Sequence, residues 1–200
     1  MCDVDSESSC SSVKPKAQDA IELGLDFEIC DLQAELGHED VLGGIWFGDK
    51  LIKVDQTLDP STNSRMLGRY RFTLAHEVGH WQLHRKHLMT DPSALSLFEE
   101  NGKPAFVCRS SEKPPEEWQA DRFAACLLMP KRLVFDSWER WRGNPNSASF
   151  AELSIEEHDL DGLKAFCRPL AEMFEVSAQA MLIRLQDLKL LVKEKEPQLF

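Results

Sequence analysis

The run Arg71-Phe72-Thr73-Leu74-Ala75-His76-Glu77-Val78-Gly79-His80-Trp81 constrains this chain more than any other stretch. It reads as part of a helix over about Gly68 to His87, and helix positions four apart lie one above the other on the same face. His76 and His80 then offer two imidazole nitrogens to one Zn²⁺, and Glu77 points to the adjoining position where a water would sit. Chance alone places this five-residue pattern in roughly one or two chains per hundred of this length. A third ligand from elsewhere is therefore needed. His84 and His87 continue the stripe at spacings of four and three. Each further turn rises about 5.4 Å, too far for His84 to join the same ion, so both are read as a polar face.

The third ligand is sought in Glu116-Glu117-Trp118-Gln119-Ala120-Asp121, thirty-odd residues downstream. Glu117 and Asp121 share one helix face. That suits a metal-binding carboxylate followed, one turn later, by a second that holds a ligand imidazole through its other N–H. Glu116 falls on a different stripe with Ala120, Phe123 and Leu127. The plain alternative is that acids at a helix start complement the helix dipole. It is preferred for Glu116 and evenly matched for Glu117. Three protein ligands would leave a fourth position for water, with Glu77 as the general base. Tyr70 and His84 are the candidates for an oxyanion donor. Two histidines and one carboxylate suit Zn²⁺ best, with Mn²⁺ the second choice.

Composition narrows the setting. At 42% hydrophobic the chain can bury a sizeable core. Its net charge of −11 and pI of about 5.0 speak against non-specific binding to nucleic acid or an anionic membrane. The acidic start Met1-Cys2-Asp3-Val4-Asp5 is unlike a signal peptide, and no uncharged apolar run reaches about 18 residues. The 6 cysteines contain no C-x-x-C pair. Reduced thiols and a cytoplasmic location are expected. Redox control through Cys126 or Cys108 is a minor alternative to their being small buried hydrophobes.

The expected organisation is a disordered polar tail over 1–14, a core over 15–149 and a helical segment over 150–200 packed on it. Short helices are expected at Asp19 to Leu25 and Cys30 to Leu36. Gly43 to Asp55 reads as a β-hairpin about a Gly-Asp turn, and Ala105 to Arg109 as a third strand. Substrate is expected to lie along the hairpin edge, Trp46 to Val54. Pro114-Pro115 opens a helix that Pro130 closes, and Lys131 to Arg142 forms another. Glu152 to Asp161 is read as an acidic loop. Leu163 to Phe174 and, after the cap Ser177, Ala178 to about Leu191 are helices. Their tight joint is similar to a helix-turn-helix, but acidic neighbours favour core closure over DNA reading.

The two metal-bearing stretches, Arg71 to His80 and Glu117 to Pro130, strongly resemble the ImmA/IrrE family of zinc metallopeptidases. Leu170 to Leu185 resembles its third common stretch more weakly. The likeness spans roughly residues 20 to 190. It implies an α+β fold: a mostly helical gluzincin-like core, with a small three-stranded sheet packed on the His-Glu helix and C-terminal helices closing it. It also implies His76, His80 and Glu117 as metal ligands, Glu77 as base, Asp121 bonded to His76, and a small Gly79 for close packing. The expected partner is a helix-turn-helix repressor, cut to release mobile-element or stress-response genes. The rival expectations are a zinc-bearing regulator that binds a repressor without cutting it and, more remotely, a DNA-binding module.

Overall fold

A computed structural model describes residues 24–90, 104, 106–109, 114–153, 155–156 and 158–193, with backbone alone for 87–89 and 107–109. The expected tail and most of the expected helix over Asp19 to Leu25 lie outside these residues. Inside them the fold is α+β and mostly helical, as expected.

The three expected strands are present as β2 (Val41–Trp46), β3 (Leu51–Asp55) and β4 (Phe106–Arg109). A further strand, β1 (Asp26–Cys30), pairs parallel with β3, so the sheet order is β1-β3-β2-β4. Its sequence, Asp-Phe-Glu-Ile-Cys, does alternate polar and apolar as a half-buried strand should. The neighbouring helix begins only at Leu32 and ends at Leu36 (α1), capped by the Asp31 side chain, which accepts from Ala34 N. Buried Asp55, at the end of β3, ties this corner together by accepting from Gln33 N and Thr57 N at 3.1 and 2.9 Å.

One expectation is overturned. The hairpin has no open edge, because β1 covers β3 and β4 covers β2. A peptide cannot add to main-chain groups that are already paired. The outer strands of the sheet are β1 and β4.

Helix α2 (Leu67–Thr90) crosses the middle of the molecule. Its Leu74, Val78 and Trp81 pack with Ile45, Ile52 and Val54 from the sheet and Phe47 from the turn after β2. Each such side chain, fully buried, stabilises by roughly 1.5–3 kcal/mol. On another side Ala75 joins a larger cluster made by α3 (Pro115–Leu128), α4 (Lys131–Arg142), α5 (Leu160–Phe174) and α6 (Ala178–Asp187). Trp138, Leu163, Leu170, Met181 and Leu185 lie at its heart.

The closing helices are set by their caps. Asp159 accepts from Gly162 N at 2.9 Å, which starts α5 three residues earlier than expected. Ser177 accepts from Ala180 N at 3.1 Å and starts α6 where expected. That helix stops at Asp187, short of the expected Leu191. Lys189 turns left-handed at φ 57°, and Leu190 N donates back to Leu185 O. The reversal carries Leu190 and Leu191 into the core, where β6 (Leu191–Val192) pairs with β5 (Ala148–Ser149). Among the described residues no helix is long and apolar enough to cross a membrane.

Candidate metal centre

The site is built where α2 and α3 cross. Gly79 sets their separation: a Cβ there would lie 3.2 Å from the Ala120 Cα and 3.1 Å from Phe123 Cδ1. On α3 the buried stripe is Glu117, Ala120, Ala124 and Leu128. The acid that turns inward is thus Glu117, while Glu116 stays at the helix edge, half-buried.

The crossing aims three ligand groups at one point. His76 Nε2 is 3.0 Å from Glu117 Oε2, and His80 Nε2 is 3.1 Å from Glu117 Oε1. The two Nε2 atoms are 3.0 Å apart. All three side chains are buried, and their ligand atoms fall within 4.8 Å of one another. A tetrahedral Zn²⁺ with bonds of about 2.0–2.2 Å holds its ligands roughly 3.3–3.5 Å apart. A relaxation of a few tenths of an ångström would admit the ion, so the residues fit a divalent cation.

The charges around the point are strongly coupled. Burial alone would lower the His76 pKa, but hydrogen bonds to Asp121 and Glu117 outweigh it and raise the imidazole to about 10. Burial likewise opposes ionisation of Glu117, yet its bonds to His76 and His80 pull it down to about 2. A proton on His76 thus partly plays the role a cation would take. His80 is shifted down, first by burial. Asp121 Oδ1 sits 3.0 Å from His76 Nδ1 and accepts its proton, the arrangement expected of a carboxylate one turn past the ligand.

Glu77 is fully buried, at 0% exposure, and neither carboxylate oxygen has a hydrogen-bond partner among the described residues. Burial raises its pKa to about 8, with Glu117 adding to the rise and His76 opposing it. A carboxylate is not normally left unpartnered in a core. Its orphaned oxygens are a second sign that this site is shaped for groups beyond the polypeptide. Gly43 of β2 makes the room: a Cβ there would come within 2.6 Å of Thr73 Cγ2 and 3.0 Å of Glu77 Oε1.

The other sequence candidates are placed differently. Tyr70 lies six residues, about 9 Å of helix rise, before His76. It packs with the sheet-side cluster, and burial raises its pKa. His84 is buried behind His80 and not on an open polar face. Its Nδ1 is 3.0 Å from His80 Nδ1 and its Nε2 is 3.2 Å from Gln119 Oε1. With both ring nitrogens engaged, it has no N–H to offer an oxyanion. The side chain of His87 lies outside the described residues, as does that of Cys108. Cys126 is exposed on α3, nine residues past Glu117 and so half a turn out of phase with it.

Three contributors were not foreseen: Gly43, Gln119 and Phe106. The Phe106 ring stacks on His80 at 4.3 Å between centroids with the planes 10° apart. All three come from elements remote in sequence from the His-Glu helix, and no local spacing marks them.

No curated protein matches the chain. A family model, Peptidase_M78, described as the IrrE N-terminal-like domain, matches residues 62–186. The match covers more than half of the chain and takes in α2, α3 and the first of the closing helices together with nearly all of α6. With this match and the His76, His80 and Glu117 cluster at its centre, the chain belongs to the ImmA/IrrE metallopeptidase family.

Proposed function

We propose that this protein is a cytoplasmic zinc-dependent endopeptidase that cuts a helix-turn-helix repressor and so releases mobile-element or stress-response genes. The observation that carries the hydrolytic part is Glu77: a buried, unpartnered carboxylate next to a three-ligand cluster. Mn²⁺ is the second candidate metal. A divalent ion held by His76, His80 and Glu117 would supply Lewis acidity toward a peptide carbonyl and acidify a water.

The residues of the chain do the rest. Glu77 takes a proton from the attacking water and returns it to the leaving amine as the C–N bond breaks. Asp121 holds His76 in the ring orientation that turns Nε2 to the ion. An extended substrate would find its main-chain partner on β4, the strand next to β2 at one end of the sheet, whose Phe106 lies on His80. Direct DNA reading is disfavoured by α6. Arg184, its only Lys or Arg, is buried and donates from Nε to Met129 O at 3.0 Å.

The test is incubation of the zinc-loaded protein with the helix-turn-helix product of a neighbouring gene, read by intact mass. The expected result is two fragments from wild type and none from Glu77→Gln, with zinc bound by both. A repressor that is bound but never cut would replace this proposal with the non-proteolytic regulator.

A further inference from the structure

We propose that His84 and Gln119 form a neutral hydrogen-bonded relay that sets the tautomer and orientation of His80 as a metal ligand. The inference rests on the metal-centre reading above and adds two positioning residues to it. The two ligand imidazoles are then held by unlike partners. His76 leans on the Asp121 carboxylate, whereas His80 leans on an uncharged imidazole and an amide.

The geometry, together with the need for a bare His80 Nε2 to face the ion, assigns every hydrogen in the relay. Gln119 Oε1 can only accept, so His84 Nε2, 3.2 Å away, carries the hydrogen between them. A neutral His84 then has a lone pair at Nδ1 and accepts from His80 Nδ1–H at 3.0 Å. His80 Nε2 is left bare, facing Glu117 Oε1 at 3.1 Å and His76 Nε2 at 3.0 Å. That is the only tautomer of a neutral His80 whose lone pair faces the ion. Turning the Gln119 amide over would reverse every donor along the chain. His80 Nε2 would then carry a hydrogen aimed at the cation, which is incompatible with ligation. The Phe106 ring closes the arrangement, stacked on His80 and tilted against His84 with centroids 5.2 Å apart. His84 is 8% exposed, so water does not readily replace it as the partner of His80.

The experiment titrates metal-free protein with Zn²⁺ against a chromophoric chelator and records the electronic spectrum of the Co²⁺-loaded form. Wild type is expected to bind one equivalent, and its failure to do so would remove the metal-centre reading along with the relay. His84→Phe should then weaken Zn²⁺ binding about 10–100-fold, the range for loss of a partner behind a ligand histidine, and shift the Co²⁺ bands. Gln119→Leu lies on the exposed side and does not threaten folding. It should weaken binding about 10-fold, at the low end of that range. His84→Gln, which restores an acceptor four residues from His80, should recover part of the loss. Metal-free unfolding temperatures guard against a merely damaged core. If Gln119→Leu and His84→Phe both keep wild-type affinity and wild-type Co²⁺ bands, while wild type binds its one equivalent, the relay is wrong and the metal centre stands.

Discussion

Glu77 holds an ionisable group where ionisation is costly, and that cost sets a pH signature for the metal-free protein. Its pKa is raised to about 8 in the folded chain, against 4.5 for the free side chain. Between those values the folded protein keeps a proton that the unfolded chain releases, so this group makes stability fall as pH rises. His76, raised from 6.5 to about 10, slopes the same way; its contribution is full below 6.5 and lost as pH rises through 10. Glu77→Gln removes only the first slope. The unfolding free energy of the chelator-treated variant should therefore pull ahead of wild type from pH 4.5 to 8, by on the order of a few kcal/mol at the upper end. Parallel profiles across that window would show that Glu77 is not held protonated. The ligand assignment has its own test. Glu117→Gln should lose most bound metal, while Glu116→Gln, at the helix edge, should keep it. Equal losses measured by elemental analysis would move the ligand.

At the scale of elements, three glycines set how closely α2 can be approached. In isolation a helix gains about 1 kcal/mol when an interior glycine becomes alanine. Gly68 should do the reverse, because a Cβ there would sit 2.6 Å from the Val176 carbonyl carbon and 2.7 Å from Ser177 N. Main chain cannot swing aside as a side chain can. Gly68→Ala is expected to destabilise by about 1–3 kcal/mol, read from denaturant midpoints; a gain in stability would mean that α2 and the α5–α6 joint are not in contact. Gly43 tests the strand beneath Glu77. Gly43→Ala drives into Thr73 Cγ2 and presses on Glu77. It should cut hydrolysis at least tenfold and leave bound zinc nearly intact, since the three ligands lie elsewhere. Adding Thr73→Ser removes the 2.6 Å obstacle and should restore part of the activity. No coupling between the two substitutions would show that the strand does not bear on Glu77.

For the whole molecule, the closing helices are structural partners of the helix that carries His76 and His80. Arg71, on α2 before His76, is buried and donates through one terminal nitrogen to Phe174 O, Glu175 O and Glu175 Oε2 at 2.8–3.2 Å. Glu175 itself is left-handed at φ 51°, which turns those carbonyls toward α2. Arg184 makes a similar tie from α6 to Met129 O, and Arg122 of α3 pairs with Asp187. Replacing Arg71 with Met keeps the volume but strands two carbonyls, at about 1–3 kcal/mol. Calorimetric unfolding should register that loss with the metal site still able to load. A variant as stable as wild type would show that the α5–α6 joint does not depend on this guanidinium.

Local chemistry was legible from the chain itself. The i, i+4 histidines, the inward acid next to the first of them, the proline-opened second helix and the Ser177 cap all follow from spacing and propensity, which act within a few residues. Helix phase already favoured Glu117 over Glu116, but for Glu117 the helix-dipole explanation was evenly matched until tertiary structure laid α3 across α2 and turned that carboxylate to the histidines. It also decided that the hairpin is interior, because strand order depends on the parallel pairing of β1 and on β4, which lies far from the hairpin in sequence. The same holds for His84: on an isolated helix it is one more polar residue on a stripe, and only the approach of Gln119 and Phe106 buries it. Contacts between distant segments are set by packing, and packing leaves no periodic trace in the sequence.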